Sequence, residues 1–90
     1  MWNNQIVAES EETVMVEGNH YFPSDAINKE YFKESSTTTN CPWKGEAHYY
    51  SLSVNDSDNI DAAWYYPVAK EKAKNIEGMV AFWRGVKVAE

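Results

Sequence analysis

Two runs of alternating residues joined by a short polar segment constrain this chain more than any other feature. In residues 47–54 and 60–66 apolar and polar side chains alternate, and residues 55–59 between them are all Asn, Asp or Ser. Alternation with a period of two is typical of strands, and a short polar link is typical of an antiparallel pair. The pattern therefore predicts a central β-hairpin. Its inward side chains are expected to be His48, Tyr50, Leu52 and Val54 on the first strand and Ile60, Ala62, Trp64 and Tyr66 on the second.

Shorter strands are predicted on either side of this hairpin. The apolar runs 6–8 and 13–16 flank a polar link, which predicts an N-terminal hairpin, and Glu17-Gly18-Asn19 predicts a second turn. Residues 35–40 are mostly β-branched but polar, as in an exposed edge strand. The continuous apolar run 79–83 predicts a strand covered on both faces, and residues 86–89 predict a last short strand.

One helix is predicted in the C-terminal half. Pro67 suits its first turn, and Gly78 is well placed to end it. Between them Ala69, Ala73 and Ile76 recur at i, i+4 and i+7, which gives one apolar stripe. Together with six or seven short strands, this predicts a mainly β, small α+β fold. Ninety residues make one domain, spanning residues 1–90.

Composition argues against several classes of function. The net charge of −6, with 14 acidic against 8 basic residues, disfavours nucleic-acid binding, which needs clustered Lys and Arg. No apolar run approaches the ~20 residues of a membrane span, so we expect no membrane partner. The single cysteine excludes an internal disulfide and a multi-cysteine zinc site, and we expect no metal and no cofactor. The N-terminus lacks the features of a signal peptide, which makes a cytoplasmic location the expectation.

The candidate catalytic residues lie in residues 37–53. Cys41 is the only cysteine, and a thiol becomes reactive where neighbouring groups lower its pKa. Lys44, three residues on in a predicted turn, is one such group, and His48 would serve as a base if its strand passes Cys41. The alternative is that Cys41 is a small apolar core residue, which is the usual role of a free cysteine.

The same stretch contains candidate ligand-binding residues. Lys44 precedes Gly45 at the predicted tip of a turn, where a cation and exposed backbone N–H groups suit a small anionic or carbonyl-containing molecule. Four Trp and six Tyr are many for this length, and aromatic side chains stack on planar ligands. The alternatives are a solvated lysine and aromatics that fill the core. The predicted ligand-binding residues are Cys41, Trp43, Lys44, Tyr50 and Trp64.

Several motifs resemble the signature of a small bacterial family known as domain of unknown function 427. The central one is the run from Thr39 to Ser51, Thr-Asn-Cys-Pro-Trp-Lys-Gly-Glu-Ala-His-Tyr-Tyr-Ser. The others follow in the family's order: Tyr-Phe-Pro at 21–23, Ala-Trp-Tyr-Tyr-Pro at 63–67 and Ile-Glu-Gly-Met-Val-Ala-Phe at 76–82. The resemblance implies a β-tent fold, in which two small antiparallel sheets lean together and relatives often bind ligands in the cleft between them.

The resemblance also marks two departures in this chain. Many proteins with the β-tent fold carry pairs of Cys-x-x-Cys zinc knuckles, whereas Cys41 is the sole cysteine, so no such zinc is expected. The family is sometimes labelled nucleotidyltransferase-like. Asp56-Ser57-Asp58 lacks the Gly-Ser pair that precedes the metal-binding aspartates of those enzymes, so that activity is not expected to transfer.

Three functions remain open from the sequence. The leading one is a ligand-binding module with a pocket between its sheets near the Cys41–Gly45 turn. The second is a cysteine-dependent enzyme that uses Cys41 with Lys44 or His48. The third is a protein-interaction or dimerisation domain that uses exposed aromatic side chains and sheet edges. The expected oligomeric state is a monomer or a homodimer.

Overall fold

The computed structural model of the protein describes residues 1–88, which contain two antiparallel sheets. The smaller sheet pairs β1 (Val14–Val16) with β2 (Asn19–Tyr21). The larger sheet holds β3 (Phe32–Cys41), β4 (Gly45–Val54), β5 (Ser57–Tyr65) and β6 (Val80–Phe82) in that order. Short 3-10 helices occupy Ser24–Ala26, Lys29–Tyr31 and Glu71–Ile76. The predicted fold class, mainly β with two antiparallel sheets, is confirmed.

The predicted central hairpin is confirmed as β4 and β5. Val54 pairs with Ser57, so only Asn55 and Asp56 form the turn. Both residues have positive φ, 51° and 64°. A two-residue turn with positive φ at both positions matches the right-handed twist of the strands it joins, and Asn and Asp tolerate that backbone conformation.

The predicted inward face is confirmed at Leu52 and Val54, which are buried, but is wrong at Ile60, which is 61% exposed. The register explains the error. Tyr50 pairs with Ala63 and Leu52 pairs with Asn59, so three residues of β5 oppose one residue of β4. A bulge of this kind shifts the alternation of the strand that carries it, and here it turns Ile60 towards solvent.

The first hairpin is the main correction to the predicted strand order. Residues 13–16 were expected to pair with residues 6–8, but β1 pairs with β2 across the predicted turn at Glu17 and Gly18. These two residues have φ of 52° and 81° and close the hairpin with a shorter loop than the polar link at residues 9–12 would. The segment 6–8 instead bridges to Ile27 through Ala8.

The outer strands agree with the sequence pattern except at the C-terminal end. The polar run 35–40 lies in β3, which is an edge of the larger sheet, and all three residues of β6 are buried. No strand forms at residues 86–88, and Ala89 of the predicted last strand lies outside the described residues.

The predicted helix is present only as the 3-10 helix Glu71–Ile76, which has a kink at Ala73. It does not begin at Pro67 because the chain there runs beside the larger sheet, with Ala69 bridging to Gly45 and the Lys70 N–H donating to the Lys44 carbonyl at 2.9 Å. The apolar stripe is nevertheless buried as predicted, and Gly78 ends the segment with a φ of 76°.

Two apolar clusters cover the two faces of the larger sheet. One contains Leu52, Val54 and Phe82, and the other contains Ala47, Tyr66 and Ile76. The smaller sheet packs on the second face, with Tyr21 fully buried there. Reciprocal backbone hydrogen bonds of 2.7 and 2.8 Å between Phe22 and Val80 tie the two sheets together. The two sheets therefore pack together on the face that carries the second cluster.

Candidate functional site

Lys44 lies where the two sheets meet, in the turn between β3 and β4. Gly45 follows it with a φ of 119°, which side-chain-bearing residues rarely adopt. The carbonyl of Lys44 accepts the hydrogen bond from Lys70, so the backbone is fixed on both sides of the residue. As a result the lysine side chain points inwards and is only 9% exposed.

The ammonium of Lys44 is surrounded by one carboxylate and two aromatic rings. Its Nζ contacts Glu17 Oε1 and lies 5.1 Å from the ring centre of Trp43 and 5.9 Å from that of Tyr66. Burial alone would lower the pKa of Lys44, but the hydrogen bond to Glu17 and the phenols of Tyr21 and Tyr66 outweigh it and raise the pKa. Lys44 is therefore a cation at neutral pH, held where few water molecules reach it.

Further titratable groups surround the lysine. Burial raises the pKa of Tyr66 to about 12, with the Lys44 charge opposing the shift and the Tyr21 phenol and Cys41 thiol adding to it. We call Glu17, Tyr21, Cys41, Lys44 and Tyr66 the Lys44 cluster. It combines one cation, one carboxylate, two phenols and a thiol at the junction of the two sheets.

Aromatic side chains continue from the cluster along the same face of the larger sheet. Trp64 packs edge-on against Tyr21, with ring centres 6.3 Å apart, and against Trp83 at 5.7 Å. Tyr49 lies opposite Trp64 in the β4–β5 register and 6.4 Å from Trp83. We call Trp43, Tyr49, Trp64 and Trp83 the aromatic wall. Trp43 is 38% and Trp83 44% exposed, so parts of the wall are accessible from solvent.

Four of the five predicted ligand-binding residues lie on this face, namely Cys41, Trp43, Lys44 and Trp64. Tyr50 does not. It packs against Phe32 and stacks on Tyr65, with ring centres 4.7 Å apart, on the opposite face. Neighbouring residues of a strand point to opposite faces, so Tyr50 is separated from the Lys44 cluster by the sheet itself.

The three candidate catalytic residues are likewise divided between the faces. His48 lies opposite Tyr65 in the register and hydrogen-bonds Glu46 at 2.9 Å, on the face away from Cys41. Lys44 and Cys41 both face Tyr66, whereas His48 lies on the opposite face of the larger sheet. Tyr65 also hydrogen-bonds both carboxylate oxygens of Glu34, and burial together with this carboxylate raises the pKa of Tyr65.

Glu17, Tyr21 and Tyr66 are the members of the Lys44 cluster that were missing from the predicted site. The sequence pattern places Tyr66 only among the inward side chains of the central hairpin and in the motif at 63–67, and Glu17 only in a turn. A signal for Glu17 is present in the turn itself, because a first turn position with positive φ usually holds Asn, Asp or Gly. A glutamate there indicates that its side chain has a contact of its own.

A cavity of about 230 Å³ lies elsewhere, between the N-terminal segment and residues 86–88. Phe22 and Phe82 form part of its lining, which also includes Val7, Ala8 and Val86. None of the predicted site residues lines it. This cavity opens towards the first apolar cluster, on the face of the larger sheet opposite the Lys44 cluster.

A family model described as a domain of unknown function, DUF427, matches residues 1–90. The chain belongs to this family. No curated protein matches the sequence. The fold brings Tyr21, Cys41 and Tyr66, each from a different motif of the sequence, together in the Lys44 cluster. The description of the DUF427 family names no activity.

The short label of the DUF427 model, NTP_transf_9, names a transferase. Asp56 and Asp58, the only paired aspartates at a spacing of two, lie at the turn of the β4–β5 hairpin. Across residues 1–88, no group of three or more His, Cys, Asp or Glu side chains is arranged to hold a metal ion. The same part of the chain contains no helix long and apolar enough to cross a membrane.

Proposed function

We propose that this DUF427 protein is a small-molecule-binding module whose site is the Lys44 cluster. The Lys44 ammonium binds an anionic or carbonyl group of the ligand, and the aromatic wall contacts its planar part. The observation that carries the proposal is the burial of Lys44, whose side chain is only 9% exposed. Lysine is almost never buried in this way unless its charge is paired.

The energetic cost of burying an ammonium supports a binding role. Removing a charge from water costs on the order of several kcal/mol before its partners compensate. An apolar residue at this position would avoid that cost. Perturbed, buried charges beside a cleft are enriched at functional sites. The raised pKa of Lys44 keeps the charge, so the group acts as a cation and hydrogen-bond donor and not as an amine nucleophile.

Binding of simple probes tests the proposal. Benzoate supplies a carboxylate and benzamide a carbonyl group, and both absorb little at the wavelengths used to excite tryptophan. We expect each to change Trp fluorescence and raise the melting temperature at millimolar concentration or below. In NMR spectra the largest shifts are expected at the indole N–H of Trp43 and at Lys44, not at the cavity residues Ala8 and Val86.

Lys44→Met removes the charge at nearly constant side-chain length and is expected to abolish binding of both probes. Lys70→Met is the matched control, because Lys70 contacts the same turn through the Pro42 carbonyl at 2.8 Å but is exposed. Binding that persists in Lys44→Met, or shifts confined to the cavity, would contradict the proposal. So would the absence of any response to both probes in the folded wild-type protein.

A second candidate function, protein interaction or dimerisation, is favoured by the exposed indoles of Trp43 and Trp83. Exposed Trp side chains are frequent anchors at protein interfaces. Light scattering across a hundredfold range of concentration distinguishes the two functions. A constant monomer mass would leave the aromatic wall available to a small molecule, whereas a dimer lost on Trp83→Ala would favour the interface.

A further inference from the structure

The two members of the Lys44–Glu17 ion pair differ sharply in how the fold holds them. The lysine side chain is 9% exposed, while that of Glu17 is 55% exposed. Lys44 is fixed by a turn that is bonded to the larger sheet. Glu17 is at the tip of a hairpin whose strands are only three residues long. The carboxylate therefore occupies the solvent side of a cation that the fold has already placed.

The backbone conformation at Glu17 indicates that the glutamate is present for its side-chain contact and not because it suits the turn. Its φ is 52°, in a two-residue turn that Asn, Asp or Gly would form with less strain. Returning the Glu17 carboxylate to water costs little because more than half of its side chain is already solvated. A second carboxylate can thus take its place on Lys44 without unfolding the hairpin.

The groups around the ion pair indicate what kind of molecule would bear that second carboxylate. Trp43 lies beside the Lys44 ammonium with 38% of its surface exposed, and the buried ring of Tyr66 has its centre 5.9 Å from it. Aromatic rings stack favourably on such surfaces, whereas a single ammonium neutralises a single carboxylate. The site therefore suits a ligand with one negative charge and a planar aromatic ring.

From this geometry we infer that the ligand of the Lys44 cluster is an aromatic monocarboxylate, and that Glu17 competes with it. The Glu17 carboxylate occupies the position on the Lys44 ammonium until the carboxylate of the ligand displaces it. The inference rests on the proposed function, because it uses the same lysine. It adds the ligand class and a regulatory residue: the apparent affinity is reduced by the fraction of molecules in which Glu17 covers Lys44.

The experiment compares three probes on three proteins. The probes are benzoate, its uncharged analogue benzamide, and cyclohexanecarboxylate, which keeps the charge but lacks the aromatic ring. The proteins are the wild type, Glu17→Gln and Glu46→Gln. Glu46 is the matched control because its side chain is 57% exposed and hydrogen-bonded, to His48, but on the other face. Affinities are measured by Trp fluorescence, and circular dichroism establishes that each variant is folded.

We expect Glu17→Gln to bind benzoate at least ~5-fold more tightly than the wild type, and Glu46→Gln to stay within ~2-fold. Benzoate should bind the wild type more tightly than either of the other two probes. If Glu17→Gln fails to fold, Glu17→Asp serves instead, since its shorter side chain withdraws the carboxylate from Lys44 and predicts the same gain.

Two different failures are distinguishable. If the wild type binds benzoate but removal of the Glu17 carboxylate leaves the affinity unchanged or weaker, the competitor role is wrong and the proposed function stands. Equal affinity for benzamide or cyclohexanecarboxylate would overturn the ligand class alone. If no probe binds any of the folded proteins, the proposed function fails and the inference fails with it.

Discussion

The indole N–H of Trp64 donates a hydrogen bond of 3.2 Å to the phenol oxygen of Tyr21, and this contact connects the two sheets through their side chains. Tyr21 belongs to the smaller sheet and is fully buried, whereas Trp64 lies near the end of β5 in the larger sheet. The pair includes Tyr21, a member of the Lys44 cluster. Its strength therefore bears on both the stability and the shape of the site.

Tyr21→Phe should reduce the free energy of unfolding by about 1 kcal/mol, because it removes the acceptor of the Trp64 N–H in a part-buried position. A double-mutant cycle with Trp64→Phe should give a coupling of roughly 0.5–1.5 kcal/mol, measured by urea denaturation. Tyr31→Phe is a control, because its hydroxyl makes a longer bond of 3.3 Å, to Gln5. Additive effects in the cycle would contradict the contact.

The two isoleucines with opposite burial give a second prediction. Ile76 is fully buried in the second apolar cluster, so Ile76→Ala should destabilise the protein by roughly 2–5 kcal/mol. Ile60 is 61% exposed beside the bulge of β5, and Ile60→Ala should change stability by less than about 0.5 kcal/mol. Denaturant midpoints compare the two variants directly. A large loss at Ile60 would show that β5 has the regular alternation expected from the sequence.

Alanine substitutions at Gly45 and Gly78 distinguish the cost of a steric clash from the cost of an unfavourable backbone conformation. Both have positive φ, but a Cβ at Gly45 would lie 3.0 Å from the Val68 carbonyl oxygen, while a Cβ at Gly78 meets no atom within 4 Å. Gly78→Ala should cost about 1–2 kcal/mol from its left-handed backbone alone. Gly45→Ala should cost more, and it should shift the NMR signals of Lys44 and Ala69 as well. Equal costs would argue against the close approach of residues 68–70 to the turn.

Alkaline pH should destabilise the protein partly through Tyr66. Its pKa rises from an ordinary value of 10.0 to about 12 in the folded state, mainly because the phenol is buried. Between these values the folded state holds a proton that the unfolded state has lost, so the stabilising contribution is complete below pH 10 and is lost as the pH rises towards 12. Unfolding by urea from pH 9 to pH 12 should show this decline, and Tyr66→Phe should make it shallower. Equal slopes in both proteins would contradict the assignment.

Local chemistry in the sequence determined several elements of this protein. Alternation determined the β4–β5 hairpin, the continuous apolar run determined β6, and Gly18 and Gly78 marked places where the chain turns or a helix ends. The Lys44-Gly45 pair indicated the turn in which Trp43 and Lys44 lie, shortly after Cys41. These features depend on neighbouring residues, whose spacing and turn preferences are visible in a short window of sequence.

Only the tertiary structure decided the composition of the site. The bulge of β5 turned Ile60 outwards, and the strand geometry placed His48 and Tyr50 on the face away from Cys41. The meeting of Lys44 with Glu17 depends on how the smaller sheet packs against the larger one. Such packing is set by the combined burial of both sheets and not by any single segment. For this reason the sequence located Lys44 but could not identify its carboxylate partner.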